Sequence, residues 1–317
     1  MSFPMLPRPE TADALLVCTC YEDGIARWGN VLHEIAGARE GDVLVAGANG
    51  VRLRLIEDRA WHYLRGGNVP ALVSDGGPVQ PVVVVADTPA VYGGAGPLLV
   101  DLVVIPGRGV RVPAARLGDV LAELISGTLT FDHLIREMDV CGTYQGDGGR
   151  PAYPPPTVPL DRCFPALPAV SGVVLVRTCF DDEPGWHALL NELGGTDDGW
   201  VGADLDPDEI DVDHYPLTAF VVEDRSFEGL PPGQVPALVP PPTAHDRERT
   251  ELVVLADPRT FAEPGHPLTA VDLDDTPGQP AVLPSRMVGS LATNLDISNM
   301  DFYEFVAVHD TEPWWEE

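Results

Sequence analysis

Two stretches decide how this chain folds: LLVCTCYED, Leu15–Asp23, and VLVRTCFDD, Val174–Asp182. Each is an apolar run that ends in Thr-Cys, an aromatic ring and two acids, the pattern of a buried strand running into a loop. Reading outward from them, the chain contains itself twice. FPMLP at Phe3–Pro7 returns as FPALP at Phe164–Pro168, Trp28 matches Trp186, and LHEI (Leu32–Ile35) matches LNEL (Leu190–Leu193). Glu57-Asp58-Arg59 matches Glu223-Asp224-Arg225, and each is followed by VPALV, at Val69–Val73 and Val235–Val239. VVVVAD ending at Asp87 matches LVVLAD ending at Asp257, Pro97-Leu98 matches Pro267-Leu268, and Leu124…Phe131 matches Leu295…Phe302. Matches in this number and order mean a duplicated domain. The division is a first repeat over 1–144, a Pro/Gly-rich linker over 145–162 and a second repeat over 163–317. The linker, QGDGGRPAYPPPTVPLDR, reads as a semi-extended spacer with polyproline character.

Within each copy strands and helices alternate. A strand (Leu15–Cys20; Val173–Cys179) precedes a helix carrying Trp28 or Trp186, whose rings are expected in the core. A second strand (Val51–Ile56; Leu217–Val222), a short helix at Pro70–Val73 or Pro236–Val239 and an apolar third strand (Val82–Ala86; Leu252–Ala256) follow. Leu98–Val104 and Val110–Val112 then read as an antiparallel pair turning at PGRG. Pro113 and Pro284 stand where helices begin, and Phe131–Met138 or Phe302–Val308 closes each unit as a helix. The expected class is α/β: two tandem copies of a small, mostly parallel-sheet, three-layer domain of Rossmann-like or flavodoxin-like type, with an antiparallel pair late in each copy.

Phe164–Glu317 resembles an uncharacterised family of small bacterial domains of unknown function that end in a stretch like NLDISNMDFYEF (Asn294–Phe305) and share the VRTCFDDEPGW opening and the HPLTAVDL segment. The resemblance covers nearly all of the second copy. The first is a divergent member, with ELISGTLTFDHL at Glu123–Leu134. It implies domain limits and no activity.

Composition closes several chemistries. Hydrophobic residues make up 44% and charged residues 21%, which is globular rather than disordered composition. All 19 cationic side chains are arginine, so a P-loop, a kinase-type lysine and a Schiff-base lysine are excluded. The net charge of −30 argues against nucleic acid. The five cysteines (Cys18, Cys20, Cys141, Cys163, Cys179) show no paired spacing, so neither a disulfide scaffold nor a structural zinc site is expected, and Cys20 and Cys179 read as buried packing residues. The N-terminal run is too short and too charged for a secretory signal or a membrane helix, which gives a cytoplasmic expectation without a membrane partner. Neither a GxSxG elbow nor a dinucleotide GxGxxG after a strand occurs; Gly93–Gly96 reads as a flexible loop, and His33 and His187 as surface or packing residues.

Acids follow the ends of the strands in both copies: Glu22, Asp23, Glu57, Asp58 and Asp87, then Asp181, Asp182, Glu223, Asp224 and Asp257. If they converge, their oxygens suit Mg²⁺ or Mn²⁺ and a metal-dependent hydrolase or phosphoryl-transfer reaction. If they do not, they cap helix N-termini. VLVRTCFDDEP is also similar to the first strand of receiver domains, but Thr178–Phe180 intervene before the acids and the lysine of such domains is absent. Asp204, Asp206 and Asp208 have the opening spacing of a calcium loop, but Glu209 stands where glycine is needed and Tyr215 where a bidentate glutamate belongs.

Charge separates the copies. Residues 1–150 carry a net −6 and residues 151–317 a net −24. The expected function is therefore a non-enzymatic protein-binding module without a cofactor: an inhibitor or immunity-type protein, a scaffold or an assembly adaptor. Asp204, Asp206, Asp208, Glu209, Asp211 and Asp213 would form an acidic face for a basic protein partner, with Trp314 and Trp315 as aromatic anchors. The metal-dependent enzyme is the alternative.

Overall fold

The computed structural model describes residues 3–7, 13–73, 80–148, 163–202, 215–241, 249–307 and 313–314. The chain divides into two compact units, Met1–Pro159 with Asp274–Pro277, and Leu160–Leu273 with Gly278–Glu317.

The first unit runs β1 (Asp13–Cys18), α1 (Gly29–Glu34), β2 (Ala38–Glu40), β3 (Val43–Ala46), β4 (Val51–Ile56), β5 (Val82–Ala86), α2 (Thr88–Tyr92), β6 (Leu98–Asp101), β7 (Gly109–Arg111), α3 (Leu117–Ser126) and α4 (Phe131–Arg136). The second repeats this as β8 (Gly172–Arg177), α5 (Glu183–Glu192), β9 (Thr196–Asp197), β10 (Trp200–Val201), β11 (Ala219–Val222), α6 (Val235–Leu238), β12 (Thr250–Ala256), α7 (Pro258–Ala262), β13 (Leu268–Val271), β14 (Pro280–Leu283) and α8 (Ser285–Asp296). The sheets have one topology: β2-β3-β4-β1-β5-β6-β7 in the first unit, and β9-β10-β11-β8-β12-β13-β14 in the second. In register, Leu16 of β1 lies opposite Leu55 of β4 and Val84 of β5, as Leu175 of β8 lies opposite Val221 and Val254.

The mostly parallel, flavodoxin-like expectation is corrected by these pairings. Only the three central strands of each sheet run parallel; a hairpin at either edge makes the remaining pairs antiparallel. The late hairpins β6–β7 and β13–β14 match the antiparallel pair read from the sequence. The early ones, β2–β3 and β9–β10, do not, because all three residues of β2 and both residues of β9 are exposed. Short, polar edge strands resist further pairing and show no alternation of apolar residues.

β1 and β5, and likewise β8 and β12, are buried on both faces, so their alternation is invisible in the sequence but plain in the packing. In β1, Leu16 and Cys18 pack with Val31 of α1, Leu117 and Leu121 of α3 and Phe131 of α4. Leu15 and Val17 pack on the opposite face with Leu6, Trp61, Leu64 and Val69. That second face is roofed by 3-10 turns at Arg59–Trp61 and Gly66–Leu72 rather than by long helices. Phe164, Leu167, Phe227, Leu230 and Val235 cover the matching face of the second sheet. Both repeated tryptophans are buried, Trp28 at 3% and Trp186 at 0% exposure.

A glycine is required at one repeated position. A Cβ on Gly118 in α3 would meet the backbone nitrogen of Gly47, and one on Gly289 in α8 the carbonyl oxygen of Tyr215. Each helix therefore lies directly against a loop backbone. Pro113 and Pro284 immediately precede the 3-10 turn Ala114–Arg116 and α8. The closing segment of the second unit, Phe302–Phe305, is a 3-10 turn rather than an α-helix.

Candidate functional site

The carboxyl ends of β1, β4 and β5, and of β8, β11 and β12, are where a sheet with parallel central strands presents its loops to a ligand. The ten acids expected there occupy those loops, and most of them hold the loops together.

In the first unit Glu22 opens the 3-10 turn Glu22–Gly24, and Asp23 pairs with Arg27 at 3.5 Å in the open. Glu57 accepts the indole N–H of Trp28 at 2.8 Å and an Arg39 N–H at 3.3 Å. Asp58 caps the turn after β4 by accepting from the Ala60 N–H at 2.9 Å. Asp87 caps α2 through the Ala90 N–H at 3.1 Å and receives both arms of Arg111, at 3.0 and 2.8 Å. The Arg111 side chain is only 1% exposed, so this is a desolvated, bidentate pair between β7 and the end of β5.

In the second unit Asp181 is exposed, and Asp182 caps α5 by accepting from the Gly185 N–H at 2.9 Å. Asp224 caps its turn through the Ser226 N–H at 2.8 Å, and this bond holds its carboxyl below the ordinary range. Asp257 forms a capping box with Thr260 and also accepts the Thr269 hydroxyl at 2.8 Å. Glu223 accepts from Arg177 at 2.6 Å and Glu183 from the other arm of Arg177 at 2.8 Å. The hydrogen bond from Arg177 depresses the carboxyl of Glu183. Among the described residues no three His, Cys, Asp or Glu side chains are grouped so that they could hold a metal ion.

Arg177 and Arg111 escaped the sequence reading, although a charge inside the apolar run VLVRTC is itself a signal. Arg177 replaces Cys18 of the first unit at the end of the central strand. Its side chain is 1% exposed, bonds the Cys179 carbonyl at 3.1 Å and stacks on Phe180 and Trp186 at 4.6 and 5.2 Å. The substitution rewires the core. In the first unit Glu57, after β4, serves the tryptophan; in the second Glu223, after β11, serves the arginine, and the buried Trp186 indole nitrogen has no acceptor among the described residues.

A second missed cluster ties α5 to α8. The Glu192 carboxylate accepts the hydroxyl of Ser285 and approaches Nδ1 of His266 at 2.6 Å. Burial opposes its ionisation, but these two bonds outweigh it and lower its pKa. The carboxylate stands between serine and histidine, which clamps two helices and does not place the imidazole to take the serine proton.

The thiols at the end of β1 are packing groups. Cys18 and Cys20 are buried, and burial pushes the Cys18 thiol up to about 11 and raises that of Cys20. Cys179 is half-buried.

Of the proposed partner-binding residues, Asp204, Asp206, Asp208, Glu209, Asp211, Asp213 and Trp315 lie outside the described residues, as does most of the linker. Trp314 packs edge-on against Phe305 at 5.5 Å and donates its indole N–H to the Glu304 carbonyl at 3.0 Å, while remaining 45% exposed.

The duplicated topology and the shared strand-end caps set the frame for comparison with known families. A family model described as domain of unknown function (DUF6924) matches residues 13–147 and again 172–315. The chain belongs to the DUF6924 family. It carries two copies of the DUF6924 domain, and the divergent first copy is a full member. No curated protein and no solved structure matches the chain. No helix among the described residues is long and apolar enough to cross a membrane.

Proposed function

We propose that this DUF6924 tandem is a non-enzymatic binding module whose strongly acidic second copy docks a protein partner with a basic surface. An inhibitor or immunity-type protein, a scaffold and an assembly adaptor all use such a face. The observation that carries this reading is the commitment of the strand-end acids to the fold. Asp58, Asp87, Asp182, Asp224 and Asp257 cap turns and helices, and Glu57 and Glu223 bond a buried tryptophan and a buried arginine. Each of these carboxylates thus has a structural partner that accounts for its position without a substrate or a metal ion. What remains for function is the field of a chain with a net charge of −30, most of it in residues 151–317. Charge of one sign steers an opposite partner and repels acidic competitors.

The test is a pull-down at low and at moderate salt, with wild type and with a variant in which Asp204, Asp206, Asp208, Glu209, Asp211 and Asp213 become Asn or Gln. The expected partner is retained at low salt, weakened by added salt and lost on neutralisation. A partner indifferent to both changes contradicts the reading.

A further inference from the structure

The first unit is built from two pieces of chain, Met1–Pro159 and the short segment Asp274–Pro277. The second piece is the tip of the turn between β13 and β14, and a cleft at the edge of the first sheet receives it. Arg65, whose side chain is 6% exposed, donates from Nε and Nη2 to the two carboxylate oxygens of Asp274 at 2.6 and 2.9 Å. β7 is the last strand of its sheet, and the N–H of its first residue, Gly109, donates to the Pro277 carbonyl at 2.7 Å. Three glycines make the room. A Cβ on Gly66 would lie 3.2 Å from Pro277 and one on Gly109 2.9 Å from it, and a Cβ on Gly142 would run into the Thr276 side chain. Thr276 is buried there. A bidentate guanidinium beside an open edge-strand N–H is the equipment of peptide recognition.

Both copies have the hairpin turn, but only the first has the cleft. DLVVIPGR (Asp101–Arg108) is the counterpart of DLDDTPGQ (Asp272–Gln279), and the two turns close alike: the Gly107 N–H donates to the Asp101 carbonyl at 2.9 Å and the Gly278 N–H to the Asp272 carbonyl at 2.8 Å. LRGGNVPALV (Leu64–Val73) aligns with LPPGQVPALV (Leu230–Val239), which puts Pro231 and Pro232 at the positions of Arg65 and Gly66. Pro280 faces Val271 as Gly109 faces Val100. Pro313 follows Phe302 at the distance at which Gly142 follows Phe131. Each of the cleft residues is thus replaced by proline, which lacks an N–H and fills space. The turns differ to match. Val103 and Ile105 stand in the first copy where Asp274 and Thr276 stand in the second, and Val103 is left 57% exposed.

We infer that Arg65, Gly66, Gly109 and Gly142 form a recognition cleft for an Asp-Asp-Thr-Pro turn, that its occupant is the turn of the second copy's late hairpin, and that the recognition runs one way. The carboxylate of Asp274 is what the cleft reads. The Arg65 guanidinium is buried, so a turn with an apolar residue at that place, such as the first copy's own, would leave it desolvated without the carboxylate. Proline at the counterpart positions closes the second copy to either turn. The cleft therefore holds the β13–β14 turn by its side chains and backbone, not through the linker alone. The inference is independent of the acidic docking face proposed above.

The test is amide hydrogen exchange in the full chain, as wild type, Asp274→Asn, Arg65→Gln and the double variant. The Gly109 N–H reports the seated turn, and the Val112 N–H, which donates to the Pro97 carbonyl at 3.0 Å, reports the fold. Each single change is expected to speed exchange at Gly109 at least ~10-fold while Val112 keeps its rate. The double variant is expected to exchange no faster than Arg65→Gln alone, because the two side chains act as one pair. Should Arg65→Gln release Val112 as well, Asp274→Asn, which alters a half-exposed side chain, carries the test by itself. A Gly109 rate unchanged by Asp274→Asn, or single effects that multiply in the double variant, overturns the assignment. A second arm places a protease site in the linker over 150–158 and cuts the purified chain. The two fragments are expected to leave gel filtration together in wild type and to part more readily in Asp274→Asn; fragments that part in wild type, or that hold equally in both, overturn it too.

Discussion

Cys18 and Arg177 stand at equivalent ends of the two central strands, and the difference fixes what their neighbours can do. Glu57 is free to take the Trp28 indole N–H, whereas Glu223 is drawn to Arg177 and the Trp186 indole nitrogen has no acceptor among the described residues. A hydrogen bond to a charged group contributes about 1.5–3 kcal/mol. Trp28→Phe is therefore expected to destabilise its unit by ~1 kcal/mol more than Trp186→Phe destabilises the other, read from denaturant unfolding. The glycines under α3 and α8 set a steric limit. Gly289→Ala places a methyl group against the Tyr215 carbonyl and is expected to cost about 1–3 kcal/mol by overpacking, and Gly118→Ala likewise. A thermal melt indistinguishable from wild type would show that these helices can move aside. The raised Cys18 pKa gives a third expectation. At pH 8 a thiol reagent labels the exposed Cys141 and Cys163 promptly, and Cys18 and Cys20 only after denaturation. Because the folded value of about 11 lies above the unfolded one, the contribution of Cys18 is intact below the unfolded pKa and is lost as the pH rises through the folded value.

At the level of elements, caps and ion pairs hold the loops at the strand ends. Glu183, the first residue of α5, is depressed by the hydrogen bond from Arg177. A carboxylate with a lowered folded pKa stabilises the protein above its unfolded pKa and loses that contribution as the pH falls through the folded value. The acid limb of the second unit's thermal stability, below about pH 5, is thus expected to flatten in Glu183→Gln; an unchanged limb would remove the ion pair from the balance. This level also shows what could be read in advance. The central strands were legible because a run such as VVVVAD must be buried on both faces. The duplication made each assignment twice over, and Pro113 and Pro284 marked the start of the helical segments that follow. The edge strands were not legible: Ala38–Glu40 and Thr196–Asp197 are short, polar and exposed, with no alternation of apolar residues. Parallel pairing at the centre was therefore extended too far. The strand-end acids were found by position, but their role depends on partners distant in sequence, such as Arg111 for Asp87 and Thr269 for Asp257.

Over the whole molecule, duplication has left one topology with two surfaces. The shared caps keep the architecture, while the cleft at Arg65 and the charge of residues 151–317 are where the copies part. That separation requires the strand-end acids to serve the fold. Its most direct test is to change Asp58, Asp182 and Asp257 singly to Ala and to read thermal stability and Mn²⁺ calorimetry on the same samples. Each substitution removes a cap and is expected to lower stability by about 1 kcal/mol, with no change in Mn²⁺ heat. Stability left intact while a stoichiometric Mn²⁺ heat disappears would contradict it, and would return these carboxylates to catalysis.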